Sequence, residues 1–234
     1  MGIAIVVSGA SFTNNIGRAY PPYFSDLVGF YMLGEDEAAS AMNRAPGGGE
    51  LAVAEGAIAY HPGYIEVGKA AGFNTGLIVP PEHTQVAIFR RPDTTNLFGL
   101  CGAWKAGTYT DSLLLVGGSG GNTIYQAAYN ASVRGTLTET GLQSRFMMMA
   151  ATRDAEGGLV ARTDTAGEIV SSPYDYTGPT PASSWRISTS DFGTSASTAG
   201  MAAVALYRRA LEAEELQDVY DGLKEMLSGR VALA

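Results

Sequence analysis

The sequence predicts an all-β sandwich closed by one short helix, and three observations carry that expectation. Short apolar or alternating segments are separated by Gly, Pro, Asn and Asp turns along nearly the whole chain. Strands nowhere alternate with helices, which argues against a βαβ architecture. One amphipathic helix stands near the end, where Leu216, Val219, Tyr220, Leu223 and Leu227 recur at steps of three and four and so share a face. With 234 residues, 46 % of them hydrophobic, 16 % charged and 30 glycines, the chain can bury a core without cross-links and reads as turn-rich and folded.

Residues 1–24 stand apart from the rest of the chain. The apolar Met1-Gly2-Ile3-Ala4-Ile5-Val6-Val7 gives way to a Ser/Gly/Asn stretch and then to Tyr20-Pro21-Pro22-Tyr23. Paired prolines favour extended backbone without ladder donors. The stretch reads either as an arm that reaches a partner or as one that wraps its own sandwich. The remainder, 25–234, reads as one domain.

Strands are expected at 27–34, 50–53, 57–60, 76–79, 84–90, 96–103, 112–116 and 122–129, then at 145–152, 159–163, 168–171, 185–188 and 201–207. A loop with a helical turn, 35–42, comes after the first. The continuous apolar runs 86–89 and 146–151 suit strands buried on both faces, and Met147-Met148-Met149 reads as adaptable core. Glu212, Glu214 and Glu215 sit in the first turn of the terminal helix, where the dipole favours carboxylates. Ser228-Gly229 mark its stop.

The segment from Val204 to Leu216 carries a resemblance. Val204, Leu206, Tyr207, Arg209, Ala210, Leu211, Glu214, Glu215 and Leu216 form a pattern similar to the end of concanavalin A-like, or laminin-G-like, jelly-roll domains. Glu212 departs from it, standing where those domains carry Ser, a better helix cap. Leu27–Gly34, the strand at 84–90 and Trp185-Arg186-Ile187-Ser188 resemble other strands of the same fold, with Trp185 in the core. The resemblance implies a jelly-roll sandwich and does not specify a ligand. The leader Ile5-Val6-Val7-Ser8-Gly9-Ala10-Ser11-Phe12 further resembles leaders of bacteriophage virion proteins.

Composition excludes several functions. A net charge of −8 argues against nucleic acid, which is bound through clustered Lys and Arg. No run reaches the roughly 18 apolar residues of a membrane helix. The apolar N-terminus lacks a basic leader and reads as a strand, so manufacture in a cytoplasm is expected. Cys101 is the sole cysteine, which rules out an internal disulfide, and its apolar neighbours predict a buried, inert thiol.

Motifs with chemical meaning are few. Gly117-Gly118-Ser119-Gly120-Gly121 matches the nucleophile-elbow spacing, but both histidines, His61 and His83, precede Ser119, so a glycine-rich hairpin is the better reading. Glu35 and Glu37 have the i, i+2 spacing of a carboxylate pair, yet they sit in a loop without the E-x-D-x-E run that glycosidases of the resembling fold carry. Asp36, Asn43, Asp111 and Asp191 could supply oxygen to calcium, but no regular spacing joins them, and the expectation is no cofactor and no metal.

Aromatics beside polar loop residues are the composition of a sugar-binding surface. Two stretches have it, and the candidate ligand-binding residues are Trp104, Tyr109, Asp111, Tyr174 and Tyr176. The expected function is a non-enzymatic structural or adhesion protein. Its setting would be a bacteriophage virion, with copies of itself, other virion proteins or a surface polysaccharide as partners. A free-standing lectin is the alternative, and a polysaccharide-cleaving enzyme a third reading.

Overall fold

The computed structural model describes residues 20–49, 51–68, 71–90, 98–103, 113–119, 122–129, 132–140, 145–178, 183–188 and 198–233. Residues 1–19 of the N-terminal stretch lie outside this set, as do Trp104, Tyr109 and Asp111. The elements begin with β1 (Leu27–Met32), α1 (Glu37–Ala41), β2 (Val53–Glu55), β3 (Ile58–His61), β4 (Tyr64–Val67) and β5 (Gly72–Ile78). They continue with β6 (His83–Arg90), β7 (Phe98–Ala103), β8 (Leu113–Ser119), β9 (Asn122–Tyr129), β10 (Ser132–Thr140) and β11 (Met147–Arg153). The last are β12 (Gly157–Thr163), β13 (Ile169–Asp175), β14 (Ser184–Ser188), β15 (Ala199–Tyr207) and α2 (Ala213–Met226).

Two antiparallel sheets form the sandwich. One has eight strands in the order β13-β12-β11-β6-β15-β4-β3, with β1 also on β15. β6 takes one side of β15, while β4 and β1 share the other, β4 along 199–201 and β1 along 203–207. The second sheet has seven strands, β10-β9-β8-β7-β14-β5-β2. This is the all-β jelly-roll sandwich with a C-terminal helix that the sequence predicts.

Between the sheets lie Phe89, Met147, Met149, Val204 and Leu206 from the first, packed with Phe73, Phe98, Leu100 and the fully buried Trp185 from the second. The outer face of the eight-stranded sheet is covered as well. Val86, Ile88, Met148, Ala150, Ala203 and Ala205 meet Leu216, Val219, Tyr220 and Leu223 of α2. Strand residues alternate between faces, so the central stretches 86–89 of β6, 147–151 of β11 and 201–206 of β15 carry apolar side chains at successive positions, and every residue of β11 and β15 is buried. Alanines at 202, 203 and 205 leave room for the helix.

The start of α2 is tied down by Arg209. Its Nη1 and Nη2 donate to Glu215 Oε2 and Oε1 at 2.8 and 2.7 Å, and its Nε donates to Asp26 Oδ2 at 3.1 Å. The guanidinium also lies 5.0 Å from the Tyr23 ring centroid, and Tyr23 donates to Asp218 Oδ2 at 2.6 Å. Hydrogen bonds from Arg209 hold the Glu215 carboxyl below its ordinary value. Glu212 occupies the cap position, and its backbone N–H donates to Glu215 Oε2 at 3.0 Å. The N3 carboxylate thus satisfies the cap residue's own N–H, the donor that the acidic half of a capping box serves. Gly229, at φ +83, ends the helix.

Two strands escape the sequence reading. β4 is only four residues long and is set off by the His61-Pro62-Gly63 turn. β10 is an edge strand whose residues are mostly polar and exposed. A third strand, β13, runs on to Asp175 through a stretch that reads as a loop.

Truncating Leu223 to Ala removes a fully buried contact between α2 and the sheet. The expected loss is about 2–5 kcal/mol of folding stability, read as a lower denaturant midpoint.

Candidate functional site

Tyr174 and Tyr176 are the sequence-chosen ligand residues that fall among the described ones. Both are 6 % exposed. Tyr174 lies within β13, and its hydroxyl donates a short hydrogen bond to the Thr152 carbonyl. Its ring fills space left by Gly135, where an added Cβ would come within 2.8 Å of it. The expected exposed loop is therefore a strand here, and Tyr174 is a core side chain with no ring face open to a ligand. Pro173 and Gly178 disguise it, because proline is tolerated on an edge strand. Alternation places Tyr174 and Tyr176 inward, with Asp175 exposed between them.

Tyr176 has a more suggestive setting. Two guanidinium groups lie over its ring, Arg134 at 4.9 Å and Arg153 at 4.8 Å from the centroid. Arg153 is buried, and its Nη2 donates to the Gly178 carbonyl at 2.5 Å. Arg134 is exposed, on β10. β10 and β13 are edge strands of opposite sheets that meet along one flank of the sandwich. A shallow cavity of about 320 Å³ opens there, lined by Arg134, Asp175, Tyr176, Thr177 and Gly178. It offers a fork of cationic donors, a carboxylate acceptor and a hydroxyl within one small depression, the chemistry that pairs with sugar hydroxyls and carboxylates.

Deeper in the same flank, Tyr125 donates to Glu139 Oε2 at 2.7 Å. Arg162 and Arg145 lie 3.5 and 3.6 Å from the same carboxylate. This largely buried carboxylate on β10 is flanked by opposite charge, which offsets the cost of its partial desolvation. It fixes the strand that carries Arg134. The sequence reading missed Arg134 because it placed no strand at 132–140.

The remaining sequence candidates have structural placements. Ser119 ends β8 and pairs with Asn122 of β9, so the glycine-rich motif is a hairpin and not a strand-to-helix elbow. His61 stacks on Tyr64 at 4.6 Å. Glu35 pairs with Arg230 at 3.2 Å, while Glu37 opens α1. Asp36 caps α1 by accepting from the Ala39 N–H at 2.7 Å. Asn43 accepts from the Phe30 and Ala45 N–H groups and donates to the Val28 carbonyl, all at 3.0 Å. Asp111 and Asp191 lie outside the described residues, among which no cluster of three His, Cys, Asp or Glu could hold a metal ion. Burial pushes the Cys101 thiol up to about 12. None of the described helices is long and apolar enough to cross a membrane.

No protein-family model matches the chain, and no curated protein does. Solved structures do match. One is a botulinum neurotoxin type C structure, described by that toxin's dependence on two ganglioside molecules for reaching the cell interior. It is 7 % identical at a TM-score of 0.60 over 86 % of this chain and 52 % of that one. The receptor-binding domain of botulinum neurotoxin type G is 9 % identical at 0.60, over 84 % and 51 %. A Trypanosoma rangeli sialidase mutant displaying trans-sialidase activity is 15 % identical at 0.58, over 87 % and 33 %. The chain spans about half the length of the two toxin chains and about a third of the sialidase. At these identities the likeness is one of fold.

His83 gives a pH prediction. Burial lowers its pKa from 6.5 to about 4, against a hydrogen bond from Nδ1 to the Pro80 carbonyl at 2.9 Å. The unfolded chain protonates this imidazole at higher pH than the folded one does, so acid favours unfolding through that interval. Stability is expected to fall from pH 6.5 towards 5, and His83→Leu to flatten that slope in denaturant titrations.

Proposed function

We propose that the protein is a non-enzymatic carbohydrate-binding module of structural or adhesive role, engaging a surface glycan at the flank formed by Arg134, Asp175 and Tyr176. The observation that carries this reading is the exposed Arg134 guanidinium laid over Tyr176 beside the Asp175 carboxylate. Arginine in this setting presents planar, paired donors, which suit a sugar bearing a carboxylate or neighbouring hydroxyls. Support comes from the fold, which is shared with the neurotoxin whose cell entry depends on interaction with two ganglioside molecules. Contact would run through hydrogen bonds from Arg134 in place of the open aromatic platform that composition suggests.

The non-enzymatic reading is supported by the acid pair the sequence offers, since Glu35 is engaged by Arg230 and Glu37 belongs to the first turn of α1. The resemblance of the leader to bacteriophage virion proteins supplies the setting, a particle component that meets a host surface. Its partners there would be copies of itself or other particle proteins. Trp104, Tyr109 and Asp111 stay as proposed contributors to a second glycan contact.

The test is retention on a panel of bacterial surface polysaccharides, with products assayed in parallel. Retention without products is expected, weakened at least several-fold in Arg134→Ala with an unchanged melting temperature. Product formation overturns the non-enzymatic reading. Retention unaffected by Arg134→Ala but lost in Trp104→Ala moves the site to the other stretch.

A further inference from the structure

We propose that the glycan contact extends past Asp175 into a second depression and selects an oligosaccharide whose carboxylate-bearing residue is followed by an uncharged one. The inference rests on the glycan reading of the Arg134 flank and names the ligand class that flank takes. Asp175 lines the Arg134 cavity and also a neighbouring one of about 210 Å³, whose other walls include Asp154, Glu156, Pro173, Leu211 and Glu212. The two depressions thus meet at one exposed carboxylate. At about 320 Å³ the first stands at the small end of ligand sites, which run to about 1,000 Å³. The second lengthens it along the end of β13.

Backbone contacts fix the spacing between them. Asp175 pairs with Gly157 across β12 and β13, and the Tyr176 N–H continues the contact by donating to the Glu156 carbonyl at 3.2 Å. Asp154 Oδ1 accepts from the Glu156 and Gly157 N–H groups at 2.8 Å each, which closes the turn and leaves the Glu156 side chain exposed. Glu212, at the cap of α2, is exposed as well.

The two depressions differ in charge. Arg134 and Arg153 lie over Tyr176 in the first. Among the described residues the second is lined by four carboxylates and by no Lys or Arg, and none of the four takes part in a salt bridge. A sugar carboxylate is therefore drawn to one side of Asp175 and repelled on the other. Hydroxyl and amide groups of a neutral sugar donate hydrogen bonds to carboxylates without that cost. Like charge set against the wrong ligand adds specificity beyond what favourable contacts supply. A run of consecutive acidic sugars is disfavoured, while an acidic sugar joined to a neutral one fits both depressions.

Calorimetric titration tests it with two probes, a tetrasaccharide alternating glucuronate with N-acetylglucosamine, and tetragalacturonate. The unaltered chain is compared with Glu156→Lys, with Arg134→Ala and with Glu225→Lys, each checked by melting temperature. Glu225→Lys makes the same charge change on an exposed residue at the far end of α2. The unaltered chain is expected to bind the alternating probe several-fold more tightly. Glu156→Lys is expected to narrow that ratio several-fold, Glu225→Lys to leave it as it was, and Arg134→Ala to weaken binding of both probes. A ratio unmoved by Glu156→Lys, or moved equally by Glu225→Lys, overturns the extension, while the loss in Arg134→Ala keeps the glycan site. Binding of neither probe, or binding untouched by Arg134→Ala, overturns the glycan reading of this flank and the extension with it.

Discussion

Three adjacent strands buried from both sides set the terms for the whole molecule. β11, β6 and β15 pack inward on the seven-stranded sheet and outward on α2. A sheet with two apolar faces is stable only if both are covered. Each buried Leu or Val side chain on the helix contributes roughly 1.5–3 kcal/mol through area removed from water. The helix is therefore part of the core, and its placement depends on Arg209, which joins the end of β15, the first turn of α2 and the Tyr23–Asp26 stretch where the described chain enters the sandwich. Those contacts use bidentate geometry and partial burial, the conditions under which an ion pair holds position well.

Much of this was legible in the sequence because double burial leaves a strong trace. The runs Val86–Phe89 and Met147–Ala151 have no polar interruption, and the helix repeats its apolar residues at the helical step. Asn122–Tyr129 coincides with β9. Edge strands leave a weaker trace. β10 has one face in solvent and carries Arg134, Gly135 and three threonines, so neither periodicity nor β-propensity singles it out. β13 hides behind Pro173, a residue that signals a loop everywhere except at a sheet edge. The candidate site is built from these two strands, which is why Tyr176 could be chosen for its composition while its partner Arg134 could not. Tyr174, chosen on the same grounds, belongs to the interior.

The same physics separates surface from scaffold. Positions that read most clearly, Trp185, Cys101 and the three consecutive methionines, are buried and serve packing. Positions that meet solvent at the flank are held by what lies beneath them. Glu139, hydrogen-bonded by Tyr125 and flanked by Arg145 and Arg162, anchors β10 a few residues along the strand from Arg134. Arg134 itself is exposed and lies over the buried Tyr176 ring, and a contact that holds a side chain before binding lowers the entropic cost of binding.

Asn43 has a consequence for how these molecules behave when crowded. Its amide, with the neighbouring Arg44 N–H bonded to the Phe30 carbonyl at 2.7 Å, occupies the ladder groups on the side of β1 that faces away from β15. The Asn43 side chain and the Arg44 backbone together thereby stand in for a strand along Val28–Phe30. A bare edge invites other chains to add to it and begin aggregates. Here the groups at Val28 and Phe30 are taken by a side-chain amide and one backbone N–H, neither of which extends a ladder to another chain.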